Sequence, residues 1–205
     1  MGERHANDRI VSERKARLRS ELRARRSSLA PELALGASLA LRQHAADVLD
    51  ALPTNAIVAG YLATGSEIDP APTLVSAFKR GLQVALPVIA SAERIMRFRI
   101  WDGSQEHLQR SRLGTVEPRV GAWLDPSECA LICLPLLGFD RHGTRLGQGG
   151  GFYDACLTDV VRQPLRPTLI GFAYAMQECE ALPKQAWDVP LDAVLLETGL
   201  LRLPY

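Results

Sequence analysis

The chain has almost no net charge. Lys and Arg total 24 against 23 Asp and Glu, a formal +1 over 205 residues. The molecule as a whole therefore has no field to gather nucleic acid or an anionic membrane. No apolar run approaches the ~20 residues of a membrane span. The opening segment, Met1 to Val11, is polar and charged, unlike a secretory leader. Cysteine is scarce and unpatterned: Cys129, Cys133, Cys156 and Cys179 form no CxxC pair and no zinc-like cluster. The four histidines, His5, His44, His107 and His142, fall in separate segments without ligand spacing. A nucleophile elbow is missing, which removes the argument for a Ser-His-Asp hydrolase. Internal repeats and low-complexity linkers are missing too. These absences point to a cytoplasmic protein with no nucleic-acid or membrane partner.

What is present suits one globular domain. Apolar residues make up 47% of the sequence, enough for a sizeable core. Residues 1–12 read as a flexible tail and 13–205 as a single domain. Ser12 is a candidate cap for a helix over Glu13–Ser27. That helix is strongly basic, with Ala16, Leu18 and Leu22 as a thin apolar edge. Pro31 opens a second helix reaching about Ala51, with Leu35, Leu39, Val48 and Leu49 as its expected buried stripe. Ala56–Ala63 reads as a strand, Pro72–Arg80 as a helix ended by Gly81, and Gln83–Ile89 as a strand. Met96, Phe98 and Ile100 alternate with Arg97, Arg99 and Trp101, a strand with one wet face. Gly103–Glu128 reads as loop with short helical turns. Leu131–Leu137 is a buried strand, and Cys129 and Cys133 beside it are expected to act as small hydrophobes. Strands at Thr168–Phe172 and Ala193–Glu197 complete the pattern. Strands alternating with helices imply an α/β sheet covered on both faces.

The most informative segment follows the apolar run. Between Gly138 and Asp154 the chain reads GFDRHGTRLGQGGGFYD, with four glycines from Gly147 to Gly151. Glycines at a strand-to-helix junction let backbone amides approach an anion. The helix expected over Phe152–Val161 would add roughly half a positive charge at its start. Arg141 and Arg145 supply cations, while Asp140 and Asp154 are possible cation partners. The whole reads as a polyphosphate site. It is not a Walker loop, which ends in Gly-Lys-Ser/Thr, nor a dinucleotide fingerprint. Gly150 is expected to admit no bulky side chain.

Other candidates are less local. Asp154 can favour a helix start or hold Mg²⁺ beside a triphosphate. Asp188 and Asp192 lie before the last strand, and either can meet Asp154 at one sheet edge. Lys15 and Arg19 share a helix face. They can form a solvated basic surface or fold over the nucleotide site. Glu67 sits in a short loop after a strand, as a surface turn or a reader of a polar ligand group. Two other functions stay open. A sugar-phosphate isomerase or acyl-CoA transferase would use Glu67 or Glu117 and no ATP. An RNA-binding module would use the basic helix, although that helix lacks aromatic residues for stacking.

Several of these pieces, taken in order, resemble the 5-formyltetrahydrofolate cyclo-ligase family. Leu134 to Asp140, Gly143 and Arg145 to Asp154 match its loop signature. Lys15-Ala16-Arg17-Leu18-Arg19 resembles its N-terminal motif, and Glu67-Ile68-Asp69 its motif after the first strand. Val116-Glu117-Pro118 resembles its central Glu-Pro, and Asp188 with Leu191-Asp192-Ala193-Val194 its C-terminal motif. The resemblance spans about residues 13–199. It implies an α/β/α layered fold, similar to phosphosugar-isomerase and CoA-transferase folds, and a monomeric enzyme acting on small molecules. The implied reaction is the cyclisation of 5-formyltetrahydrofolate to 5,10-methenyltetrahydrofolate, with ATP as co-substrate and Mg²⁺. Lys15 and Arg19 match ATP contacts, and Arg145, Leu146, Gly147, Gln148, Gly149, Gly150, Gly151, Phe152 and Tyr153 match the nucleotide loop. Arg145 and Tyr153 take catalytic roles. Thr64 and Glu67 match folate contacts, together with Gln148 through Tyr153. Asp154 and Asp188 match the metal carboxylates. Two departures stand out. Gly150 replaces a Lys found in certain members, leaving Arg145, Lys15 or the metal to compensate. Phe152 replaces a common Tyr and removes a hydroxyl.

Overall fold

The apolar run after Ala130 forms strand β7 (Leu131–Pro135), with Leu131 to Leu134 all buried. A strand covered on both faces has no reason to alternate. The computed structural model describes residues 2–90, 95–112 and 114–204. In chain order, helices α1 (Gly2–Ser27), α2 (Pro31–His44) and α3 (Ala46–Asp50) come first. Strand β1 (Ile57–Ala59), helix α4 (Ala71–Lys79) and strands β2 (Gln83–Ala90) and β3 (Ile95–Trp101) follow. Short strands β4 (Leu108–Arg110), β5 (Val116–Pro118) and β6 (Trp123–Leu124) precede β7. Then come β8 (Gly138–Phe139), β9 (Arg145–Leu146) and helix α5 (Phe152–Leu157). Strands β10 (Thr168–Phe172), β11 (Ala193–Leu196) and β12 (Gly199–Arg202) end the chain.

Eight strands form one mixed sheet in the order β12-β11-β10-β7-β1-β2-β3-β6. The five central strands, β11 to β2, run parallel. The strands at both margins are antiparallel additions. From β1 the chain moves outward to β2. From β7 it moves the other way, to β10 and β11. The reversal between the neighbours β1 and β7 opens a crevice at their carboxyl ends, where open α/β sheets bind ligands.

Helices cover both faces. One core joins Leu41 and Leu49 of the first helical layer, and Leu74 and Ala77 of α4, to Val58, Val84 and Cys133. The other joins Leu157 of α5 to Phe98, Ile132 and Leu169. This is the α/β/α arrangement expected, with a thin second layer.

Four expectations need correction. Leu35 and Leu39 are exposed, at 62% and 41%. Leu49 is buried as expected, but it continues a stripe of Ala37, Leu41 and Ala45, also at four-residue spacing, with alanines that let the helix approach the sheet closely. The first helix starts at Gly2, not after Ser12. Residues 3–12 contain neither Pro nor Gly, and the Arg9–Glu13 pair at 2.9 Å spans the expected boundary. Gly103–Glu128 contains the β4–β5 hairpin and β6, strands too short to show periodicity. Trp101 has wet-face parity yet is buried, edge-on to Phe78 with centroids 5.8 Å apart. Arg97 and Arg99 on that face lie 4.8 and 3.8 Å from the Trp123 ring.

Helix α1 has a small core of its own. Leu22 is buried with Leu137, Leu146 and Leu182, and Leu18 packs against them. A Cβ at Gly138 would lie 2.6 Å from the Leu22 side chain, so a larger residue there would displace Leu22. Leu22→Ala is expected to destabilise the protein by roughly 2–5 kcal/mol, as other buried Leu truncations do, measured by urea denaturation. Cys129 and Cys133 are buried and free, in keeping with their reading as small hydrophobes. Burial pushes the Cys129 thiol up to about 12 and raises Cys133 as well. Native protein treated with iodoacetamide at pH 8 is therefore expected to leave both unmodified by mass spectrometry, while denatured protein is alkylated at each.

Candidate active site

The crevice between the ends of β1 and β7 is a cleft of about 1060 Å³. Its walls are the loop after β1, the segment from β9 into α5, the turn before β11, and α1 across the opening. Every site residue implied by the family resemblance borders this one cleft, from Lys15 and Arg19 through Thr64, Glu67 and the loop Arg145–Asp154 to Asp188.

The β8–β9 hairpin delivers the glycine loop. Asp140 sets its turn: Oδ1 accepts from the amides of His142 and Thr144, and Oδ2 from that of Leu182. Asp140 is therefore a buried structural carboxylate, not a cation ligand. Arg141 points away and pairs with Glu178. Asp192 holds Arg166 at 2.7 Å and takes no part in the cleft. Gly149 and Gly151 have φ of +105° and +69°, a backbone that side chains disfavour. A Cβ at Gly150 would sit 2.6 Å from the Phe152 ring. The bar to a bulky residue there is thus the neighbouring ring itself. Helix α5 covers only Phe152–Leu157, shorter than expected, so the attraction for an anion rests on loop amides and side-chain cations.

Those cations converge from distant segments. On α1, Lys15, Arg19 and Arg23 recur every four residues, and Arg26 follows three later, so all four share a face. Lys15 Nζ donates to Asp188 Oδ2 at 2.5 Å and Gln185 Oε1 at 3.0 Å. Arg19 Nε donates to the Gly147 carbonyl at 2.9 Å. Arg23 donates to Gln148 Oε1 at 2.9 Å. Arg26 is buried, bonded to Ser66 Oγ and the Leu136 carbonyl. Burial lowers the pKa of both Arg19 and Arg26, and the like charge of Arg23 adds to the effect on each. Both stay charged, so an incoming anion stabilises them. Arg145 pairs with Asp154 at 2.7 Å, its side chain 5% exposed. Its Nε is buried without a hydrogen-bond partner, an unmet donor at the cleft wall.

The other end of the cleft is apolar. Pro87, Ile89, Met96 and Val116, from β2, β3 and β5, line it. Glu67 stands at the boundary, accepting from the Thr64 amide at 2.9 Å and Gln148 Nε2 at 3.2 Å. Tyr153 lies between the two ends. Burial and the Glu67 charge raise its pKa, against the opposing pull of Arg145, so it is a neutral phenol at any working pH. Glu117 faces away from the cleft. It is buried and accepts from the Ile89 amide and from Gln109, which fixes the β4–β5 hairpin against β2.

Asp154 and Asp188 border the same cleft, and Asp154 is bonded to the amide of Val189, the residue after Asp188. Asp154 Oδ1 accepts from Arg145 and from the Val189 amide. Asp188 Oδ2 accepts from Lys15 and from the Gln185 amide. Each keeps its second oxygen free of hydrogen bonds among the described residues. No group of three or more His, Cys, Asp or Glu could cage a metal among those residues. Two carboxylates with spare oxygens still fit Mg²⁺, which keeps several waters and shares substrate phosphates.

Arg23, Arg26, Ser66, Gln185 and Tyr61 were not anticipated as cleft residues. For Arg23 and Arg26 a signal existed: the four-residue series from Lys15 continues through them, beside Leu18 and Leu22. For Gln185 and Tyr61 no local pattern marks the position.

Among the described residues no helix is long and apolar enough to cross a membrane. The profile of the 5-formyltetrahydrofolate cyclo-ligase family matches residues 11–197. The chain is 34% identical to the 5-formyltetrahydrofolate cyclo-ligase of Escherichia coli K12 over 142 residues, covering 67% of this chain and 76% of that one. It is 28% identical to the Haemophilus influenzae cyclo-ligase, covering 90% and 98%. Its fold superposes on the 5,10-methenyltetrahydrofolate synthetase of Aquifex aeolicus with a TM-score of 0.72 at 26% identity, covering 93% of each chain. A basic helix docked on a glycine loop at the sheet's switch point, in a chain matched along nearly its whole length, makes this protein a member of the 5-formyltetrahydrofolate cyclo-ligase family.

Proposed function

We propose that the cleft converts 5-formyltetrahydrofolate to 5,10-methenyltetrahydrofolate with hydrolysis of ATP to ADP and phosphate. The observation that carries this reading is the docking of the α1 cations directly on the glycine loop, with Arg19 Nε 2.9 Å from the Gly147 carbonyl. It makes one end of the cleft a polyanion receptor, next to an apolar chamber suited to a flat heterocycle.

A formamide is a poor electrophile and oxide is a poor leaving group. Phosphorylation solves both problems. The formyl oxygen attacks the γ-phosphorus, and the bond from that phosphorus to the ADP oxygen breaks. The carbon, now bearing a phosphate ester, is attacked by the secondary amine of the same folate. The ring closes, the C–O bond breaks, phosphate leaves and the amine loses its proton. The protein's task is placement and charge neutralisation. Lys15, Arg19 and Arg145 face the phosphates, and the unmet Arg145 Nε gains an acceptor. The loop amides add donors where charge develops. Arg23, bonded to Gln148, supplies cationic character where certain family members use a loop lysine. Thr64 and Glu67 orient the folate, and the neutral Tyr153 hydroxyl serves as a donor between the two substrates. Asp154 and Asp188 would hold Mg²⁺, which would supply charge neutralisation for the phosphates. On this reading the protein is a monomer acting on dissolved small molecules in the cytoplasm.

A near-ultraviolet absorbance assay for the methenyl product tests the reaction. Product is expected only with 5-formyltetrahydrofolate, ATP and Mg²⁺ together, and ATP-independent turnover would point to isomerase or transferase chemistry instead. Asp154→Asn is expected to weaken Mg²⁺ binding in the presence of ADP by roughly tenfold or more, the scale on which metal-site contacts act. Calorimetric titration of Mg²⁺ checks this, and an unchanged isotherm removes Asp154 from the metal site.

A further inference from the structure

The molecule has three tryptophans. Trp101 is buried edge-on to Phe78. Trp123 is covered by the guanidinium groups of Arg97 and Arg99. Trp187 differs from both. It is 54% exposed, yet it borders the main cleft. No ring or cation stacks on it among the described residues.

Its backbone is nonetheless tightly held. Trp187 sits in the turn from Gln185 to Asp188, closed by the Asp188 amide donating to the Gln185 carbonyl at 3.0 Å. The Asp188 carboxylate accepts from the Gln185 amide at 2.7 Å, and Lys15 clamps the same carboxylate. One residue on, the Val189 amide donates to Asp154 at 3.0 Å. An indole on a mobile loop would be unremarkable surface. An indole left uncovered on a turn pinned from three sides, at the rim of a binding cleft, is a preformed stacking platform.

Its position selects the ligand. Trp187 is adjacent in sequence to Asp188, the partner of Lys15, at the charged end of the cleft. The apolar lining of Pro87, Ile89 and Met96 comes from β2 and β3, on the other side of β1 from β7, β10 and β11. A nucleotide with its phosphates on Arg145 and the glycine loop must put its base outside the phosphate-binding cations, and among the described cleft residues Trp187 is the aromatic whose ring is exposed. We infer that Trp187 stacks on the purine ring of the nucleotide and thereby sets the affinity for ATP over the bare polyphosphate. This rests on the proposed use of ATP and adds a recognition element for its base.

The test is calorimetric binding of ATP, of inorganic tripolyphosphate and of 5-formyltetrahydrofolate, each titrated separately, to wild-type protein, Trp187→Ala and Trp187→Phe, all with Mg²⁺. Trp187→Ala is expected to bind ATP roughly tenfold more weakly, the scale of one lost base–aromatic stack. Its tripolyphosphate affinity should stay within about twofold of wild type, which also shows that the turn and the phosphate site are intact. Trp187→Phe should recover most of the ATP affinity, because it restores a ring. Unchanged ATP affinity in Trp187→Ala overturns the inference. So does an equal loss for ATP and tripolyphosphate, which would mean a damaged turn, or a loss confined to 5-formyltetrahydrofolate, which would put the pterin on the indole. If wild-type protein binds neither ATP nor tripolyphosphate, the ATP-dependent reading of the cleft falls, and this inference falls with it.

Discussion

The contact between α1 and the glycine loop is the constraint on which the site depends. Sheet topology places a crevice between β1 and β7, but that crevice alone would be an open notch with little positive charge. Helix α1 closes it and brings Lys15, Arg19, Arg23 and Arg26. It can do so because Leu18 and Leu22 give it an anchor against Leu137, Leu146 and Leu182, the leucines that flank the β8–β9 hairpin. Apolar packing and charge placement are thus two faces of one docking event, since the same hairpin supports the helix and delivers the loop.

Within the cleft the charges satisfy one another. Lys15 holds Asp188 and Arg145 holds Asp154, with all four side chains at most 20% exposed. Such pairs gain little net stability, because desolvation offsets much of the attraction, while loss of one partner leaves a costly buried charge. Their arrangement suits an exchange of partners. On the proposed reading, triphosphate would compete for the cations and a divalent metal for the carboxylates, so each ligand would release what the other needs.

How much of this could be read from the residues alone followed from how local each signal is. The glycine loop announced itself, because its requirements are met within about eight consecutive residues. So did β7, whose burial is written in an unbroken apolar run. The fold class followed from alternating elements. The role of α1 did not, since Gly147 lies 128 positions from Arg19 and nothing near the helix names its partner. Leu49 is buried as expected, but Leu35 and Leu39 were misassigned because they offer the same four-residue spacing as Ala37, Leu41 and Ala45, and only tertiary packing chooses between them. The β4–β5 hairpin escaped because three-residue strands cannot display a period of two. The short α5 reflects a glycine entry with no side-chain cap, where a longer helix had been expected.

The edges of the sheet have a consequence of another kind. An unpaired strand margin is a template for adding a foreign strand. Here the outermost member on one side is β6, only two residues long, and its Trp123 is blanketed by two arginines. Fixed positive charge over a truncated border repels a second copy that would bring the same arginines. The grouping that buries half an indole therefore also guards that flank against runaway self-assembly, a safeguard built from three side chains with no part in catalysis.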